Sequence, residues 1–544
     1  MDRTKISPRL RSHGRELASR LPHRVVLGAA LWVGVTGNLL VQGSEGPGLN
    51  MFLFFITLAL GIGGVTRLAG CPLSREAWLW VLGGIVLSTG LALRASPPLQ
   101  FLAFFAASAA FTFPALRAGA AWMRGSGVSD HIEALVGAVG YAGFGAFRVA
   151  ADLLSSQAGA PGEAEDSTGQ GVSAVLRGLL LAAPLLLVFG ALFVSADRVF
   201  ADLVSGLLGT AFDQWASHLA VTGILAWLAT GYLTGFLHGT HLCDAVKHGM
   251  RRPSIGIVEV GVALGLIALL FTAFIAVQFR YLFGGSGLVE VTPGLSYSEY
   301  AREGFGQLAL AAALVLPTLL ISDWLLRRPS PRGRRIFRAL GSLQLLLLVL
   351  LIASAFQRVR AYLEAYGLTE SRFYGVVFLA WLTLLSIWFG ATVLRGRRKR
   401  FAFPTLLSAF AAVAALFIAN PDAWIARTNL TRSGVALDAT ALETAMAGAR
   451  DNASWSTPDR PAIDAAYLAS LSADAVPTLL RALPDLPLEP RCDLARHLME
   501  RWDTGVRPDW RSWNRAFLRA REAVRSEASE LRSMIGEAAG CLER

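Results

Sequence analysis

The chain has 544 residues, of which 54% are hydrophobic and only 16% charged, with a formal net charge of +11. A soluble domain of this size carries more charge, so a water-soluble globule is excluded as the main body. The excess is not a nucleic-acid footprint, because no basic run interleaves with aromatics on a polar domain; it points to basic loops beside a membrane.

Residues 1–24 form a basic leader carrying Arg3, Lys5, Arg9, Arg11, Arg15, Arg20 and Arg24. An apolar run follows with no small-x-small cleavage pattern, which predicts a retained signal-anchor helix. Residues 25–127 hold four stretches of bilayer length: Val25–Gln42, Leu49–Thr66, Ala77–Leu93 and Leu99–Leu116. A predominantly apolar helix of about 20 residues spans the hydrocarbon core.

Residues 128–173 read differently. Val128–Leu154 is rich in Gly and Ala, with Asp130, His131, Glu133 and Arg148 near its ends. Its uninterrupted apolar part is short, which predicts an interfacial or re-entrant helix. Ser155–Gly171 then predicts a flexible cytoplasmic linker.

Residues 174–420 hold seven further candidate spans: Gly178–Ala196, Trp215–Leu237, Val260–Phe279, Gly304–Ser322, Ala339–Gln357, Phe373–Leu394 and Phe401–Asn420. Alternate loops are basic: the leader, Arg67 to Arg75, Arg117 to Arg177, Lys247 to Arg252, Arg327 to Arg338, and Arg395 to Arg400. Because Arg and Lys are held in the cytoplasm during insertion, the pattern predicts an all-α polytopic bundle of about eleven spans. It places the N-terminus inside and the C-terminus outside.

Residues 421–544 hold 16 Lys+Arg and 18 Asp+Glu, so the basic excess lies entirely in the first 420 residues. The tail predicts a small extracytoplasmic helical module, with apolar residues at helical spacing over 437–447, 463–471, 475–483, 491–502 and 510–535. Its role is either to cap the bundle or to offer a surface to a protein partner. Outside the cytoplasm, Cys492 and Cys541 are placed to form a disulfide; the alternative is two unpaired helix cysteines.

Chemistry-bearing residues are few. His238, His241, Asp244 and His248 fall roughly on one helical face beside Cys243, and imidazole, carboxylate and thiolate are ligand types that zinc prefers. Their spacing matches no zinc signature, and an ordinary polar juxtamembrane loop is the simpler account of them. Asp197, Arg198 and Asp202 follow the fifth candidate span, where acidic residues bind cations or relay protons, or simply mark the exit from lipid. Arg358, Glu370 and Arg372 flank the connection between two late spans, a ligand-facing hairpin or a rigid turn. Asn420, Pro421, Asp422, Arg427 and Asn429 form a similar polar hinge. No catalytic residue and no cofactor are predicted, since no Walker lysine loop, G-x-S-x-G elbow or C-x-x-C is present.

Four stretches taken together, LFVSADRVFADL (192–203), AYGLTESRFY (365–374), NPDAWIARTNL (420–430) and IDAAYLASLSADAVPTLL (463–480), resemble a bacterial multi-pass family, domain of unknown function 4173, related to domain of unknown function 4153. The resemblance covers roughly residues 175–485. It implies an integral membrane protein with a helical C-terminal region, and it supplies no reaction. The expectation is a non-enzymatic protein of the bacterial inner membrane, a scaffold or a signalling or envelope-related partner. Its partners would be the bilayer and a protein met through the tail, and no nucleic acid. The alternatives are a transporter or lipid-handling protein, and a membrane-embedded enzyme.

Overall fold

The structure, a computed structural model, describes residues 23–70, 73–113, 127–157, 210–249, 255–283, 305–326, 330–435, 463–503 and 509–537, with 193, 197, 206 and 505 as single positions. Among the described residues eleven long helices make up the bundle: α1 (His23–Val41), α2 (Leu49–Leu68), α3 (Arg75–Leu93), α4 (Pro97–Thr112), α5 (Val128–Gln157), α6 (Thr210–Gly249), α7 (Ile257–Phe283), α8 (Phe305–Leu325), α9 (Pro331–Tyr366), α10 (Glu370–Thr392) and α11 (Ala402–Ala419). After them come α12 (Pro421–Arg432), α13 (Ala465–Ser470), α14 (Val476–Ala482), α15 (Leu488–Trp502), α16 (Arg515–Ser526) and α17 (Ala528–Glu537).

Among the described residues nine helices are long and apolar enough to cross a bilayer: α1–α3 and α6–α11. This is a multi-pass, all-α membrane protein. In lipid a helix satisfies its own backbone donors and acceptors, which is why apolar runs of this length fold this way. The fourth expected span ends early, at Thr112, and gives a 16-residue helix. The expected span Gly178–Ala196 lies outside the described residues apart from Phe193.

Three apolar cores organise the chain. Val33, Phe55, Ile62, Leu91, Phe111 and Leu233 knit α1–α4 to α6, with Val413 of α11 joining them. Leu264, Leu319, Leu348, Leu379 and Phe389 knit α7–α10. A third core joins α12 to the tail helices through Ile425, Leu430, Leu479, Leu494 and Val524. The outward surface of the bundle stays apolar: Val258, Leu269 and Leu270 of α7 and Phe144 of α5 are each at least 65% exposed. Such a surface suits hydrocarbon, not water.

The segment expected as an interfacial or re-entrant helix is α5, one helix of 30 residues packed lengthwise on α6. It runs antiparallel to α6: Tyr141 packs on Gly235, Gly145 on Gly231, and Phe147 on Trp227, whose indole donates to the Gly143 carbonyl at 2.9 Å. At ~1.5 Å per residue, the ten residues after Phe147 bring α5 level with about residue 217 of α6. There Ser217 and His218 bond Gln42 and Asn38 at the end of α1. Close approach needs small residues: a Cβ on Gly231 would lie 2.1 Å from the Tyr141 carbonyl oxygen.

The helix ends sort onto two faces. On one lie the start of α1 and the end of α2, and then α3, α8, α9, α10 and α11 contribute Arg75, the Leu325–Ile255 contact, Arg334, Arg338 and the Arg395–Arg400 turn. The tail docks on the other. Arg511 donates to the Gln42 carbonyl at 2.7 Å, Leu49 donates to the Trp513 carbonyl at 2.9 Å, and Asn514 donates to the Leu91 and Arg94 carbonyls at 3.0 and 2.8 Å.

The α5–α6 contact predicts that Gly231→Ala forces the two helices apart. Overpacking of this kind costs about 1–3 kcal/mol, read as a lower melting temperature of the purified protein by circular dichroism. Gly265→Ala, where nothing lies within 4 Å of the added carbon, leaves the melt unchanged.

Candidate functional site at the bundle–tail junction

Three breaks in the chain assemble the polar junction. Pro97 and Pro98 follow Ser96, so α3 cannot continue and α4 starts afresh. Gly367, at φ +84°, ends α9. Asn420, at φ +51°, caps α11 in the left-handed conformation that Asn tolerates, and Pro421 opens α12 behind it. These turns bring Arg94 to Ser96, Glu370, Tyr374 and Asp422 to one place, where Tyr467, Ser472 and Asp474 of the tail meet them.

Asp474 is the anchor. Its Oδ1 lies 2.9 Å from Arg94 Nη1, and its Oδ2 accepts from the Ala95 amide at 2.7 Å. The Arg94 guanidinium also donates to the Phe417 carbonyl, through Nε at 2.7 Å and through Nη2. The Asp474 side chain is 4% exposed and that of Arg94 21%. Few charges are buried without such pairing.

Asp422 is fully buried. It accepts from Ser96 Oγ at 3.4 Å and from the Ser472 amide at 3.3 Å, and it shares a side-chain hydrogen bond with Glu370. Two carboxyl groups form that bond only when one proton lies between them. Burial pushes the Asp422 carboxyl above its ordinary value, and the negative charge of Asp474 adds to this; the hydrogen bonds from Ser472 and Glu370 oppose it. Tyr374 Oη lies 3.2 Å from Ser96 Oγ, and Tyr467 Oη accepts from the Glu370 amide at 3.0 Å. Burial raises the Tyr467 hydroxyl to about 12, so it stays protonated. The arrangement places a buried ion pair and two facing carboxyl groups at the seam between two folded parts, and it presents no open surface at Asp422.

Of the residues singled out in the sequence, Glu370, Asp422 and Asn420 meet here, with Asn420 Nδ2 donating to the Asp474 carbonyl at 3.4 Å. Arg372 instead stacks on Tyr362, its guanidinium carbon 3.2 Å from the ring centre, and donates to Thr369 Oγ1 at 2.9 Å, bracing the turn between α9 and α10. Arg358 is half-buried on α9. The Asp197 amide donates to the Phe193 carbonyl at 3.0 Å, while Arg198 and Asp202 lie outside the described residues. His238, His241, Asp244 and His248 have helical backbone in α6, but their side chains lie outside the described residues. Among the described residues no three His, Cys, Asp or Glu side chains gather as metal ligands. Cys492 is buried on α15 and disulfide-bonded; Cys541 lies outside the described residues.

Local sequence singles out neither Arg94 nor Asp474 and marks Asp422 only as part of a polar hinge. The wider charge pattern does mark Arg94: it is the sole charge between residues 77 and 113, on the side where loops are poor in charge.

A raised carboxyl favours the folded state while it is protonated. Stability from Asp422 is therefore full below its ordinary 3.8 and falls as pH rises above that value. Asp422→Asn keeps the shape and removes the titration. The melting temperature of the wild type is expected to decline more steeply with pH, upward from about pH 4, than that of Asp422→Asn. Parallel pH profiles would count against a buried titrating group here.

The family model described as domain of unknown function (DUF4153) matches residues 81–482. The match runs from within α3 to the end of α14 and takes in Arg94, Glu370, Asp422 and Asp474. No curated protein and no solved structure matches the chain. The sequence resemblance named domain of unknown function 4173 with its relative 4153 over a shorter stretch, and the match falls on the relative. The chain belongs to the DUF4153 family.

Proposed function

We propose that this protein is a non-enzymatic scaffold or signalling partner of the bacterial inner membrane. Its basic face lies in the cytoplasm, and its tail serves as a rigid platform outside. The observation that carries the reading is the junction: Arg94, Asp474, Asp422 and Glu370 are consumed in clamping the tail core to the spanning helices. A tail held this way moves with the bundle, which suits a part that presents a surface to a partner or passes a signal inward. Asp422, with no exposed surface, has no access to a substrate, which weighs against an enzyme built on these carboxyls.

Orientation rests on the two faces. The face opposite the tail carries Arg75, Arg334, Arg338 and the Arg395–Arg400 turn, and arginine is retained in the cytoplasm. This assignment uses the ends of described helices only and does not depend on Gly178–Ala196. The disulfide at Cys492 fits an oxidising compartment for the tail; its proposed partner is Cys541.

The test uses intact cells. A membrane-impermeant maleimide is expected to label Glu489→Cys directly and Arg397→Cys only after lysis. Non-reducing peptide mapping is expected to recover Cys492 joined to Cys541. A photo-crosslinker at Leu488, 59% exposed on α15, is expected to capture a defined protein neighbour in the envelope. Labelling of both cysteines from the same side would overturn the orientation, and the absence of any protein adduct across the exposed tail would leave it a cap on the bundle.

A further inference from the structure

On the basic face, far from the tail, two adjoining cavities open between α8, α9 and α10. The outer one, about 320 Å³, is lined by Arg334, Arg338 and Arg398, with Asp323 and an apolar wall of Phe337 and Leu394. The inner one, about 370 Å³, is bounded by Arg338, Arg395, Ser342, Leu345, Gly390 and Leu394. Arg338 and Leu394 belong to both, so the two form one crevice with a cationic mouth and a slot walled by Ser342, Leu345, Gly390 and Leu394.

The charge balance is uneven. Asp323, the one carboxylate among the described lining residues, lies 3.6 Å from Arg398, which leaves the positive charges of Arg334, Arg338 and Arg395 in excess. Arg334 and Arg338 stand one turn apart at the start of α9, and Arg395 and Arg398 follow the end of α10. Ends of apolar helices long enough to span the hydrocarbon core fall beside the headgroups. Guanidinium groups bind phosphate oxygens through paired N–H donors, and basic pockets between spanning helices on the cytoplasmic side hold anionic headgroups. The slot continues inward beside Gly390, where a Cβ would meet only Leu345 Cδ1, at 3.5 Å. Lipid-facing Ile336, Leu343 and Ile387, each at least 40% exposed, continue the apolar surface around it.

We infer that this crevice is a binding site for one anionic glycerophospholipid of the basic-face leaflet, with its phosphate among Arg334, Arg338 and Arg395 and an acyl chain along the slot between α9 and α10. A free phosphate shares the chemistry of the mouth but has no use for the slot. The slot is the reason to assign a lipid.

Native mass spectrometry of the full-length protein, titrated with phosphatidylglycerol and separately with phosphatidylcholine, tests this. One phosphatidylglycerol is expected to be retained in preference to phosphatidylcholine. Arg334→Gln with Arg338→Gln is expected to lower that retention by roughly tenfold or more. Arg332→Gln with Arg335→Gln, which removes the same charge from exposed positions outside the crevice, is expected to leave it nearly unchanged. Gly390→Leu, which narrows the slot at constant charge, is expected to weaken the lipid, and millimolar inorganic phosphate is expected not to displace it. Circular dichroism melts show which variants fold, and the single change Arg338→Gln replaces the pair if the pair does not. Equal loss in the two double variants would overturn the site in favour of diffuse attraction. Displacement by inorganic phosphate with no effect of Gly390→Leu would overturn it in favour of a soluble anion.

Discussion

The Arg94–Asp474 ion pair joins the lipid-facing and water-facing parts of the chain. Arg94 leaves α3 at the face where charges are scarce, and its guanidinium reaches the end of α11 at Phe417 as well as the tail at Asp474. A buried pair of this kind adds little net stability over an apolar contact of the same shape, because both ions lose water. Its effect is on specificity. An unpaired Asp474 carboxylate would be so unfavourable in this setting that the tail has one seat on the bundle. Asp422, Ser472 and the Asn420 turn then fall into place around that seat.

The same helices serve both ends of the molecule. At one end the turn between α9 and α10 brings Glu370 to Asp422 and Tyr467. At the other, Arg338 and Arg395 line the crevice. Between them Leu348, Leu379 and Phe389 are packed within one apolar core with no exposed surface beyond 1%. Close-packed interiors transmit strain, and this core ties the crevice end of α9 and α10 to the end that carries Glu370.

Legibility in the sequence followed chemistry. Spans rich in Leu, Val and Phe, such as Leu49–Leu68 and Ile257–Val277, stand out because hydropathy reports transfer to lipid directly. α5 was legible as a Gly- and Ala-rich helix, but its packing on α6 through Tyr141, Gly145 and Gly231 is a tertiary contact that no local pattern expresses. The tail helices carried a clear 3.6-residue period, yet the stretch 510–535 is broken at Glu527 into α16 and α17, a detail that periodicity does not encode. At the site, Glu370 drew notice as a charge at a span entry. Its partners Asp422 and Asp474 lie 52 and 104 residues further on, as the numbering shows, and Arg94 is 380 residues from the carboxylate it pairs with. No local pattern expresses a contact closed by tertiary folding over such separations.

The most direct test is a double-mutant cycle on Arg94→Ala and Asp474→Ala in the full-length protein in lipid, read as hydrogen-exchange protection of tail amides 463–503. Each single change should lower the opening free energy of the tail by about 3–5 kcal/mol, since it strands one buried charge. The double change should fall short of the sum by more than about 1 kcal/mol. Protection unchanged in the single variants, or additive losses with no coupling, would contradict a tail seated by this pair.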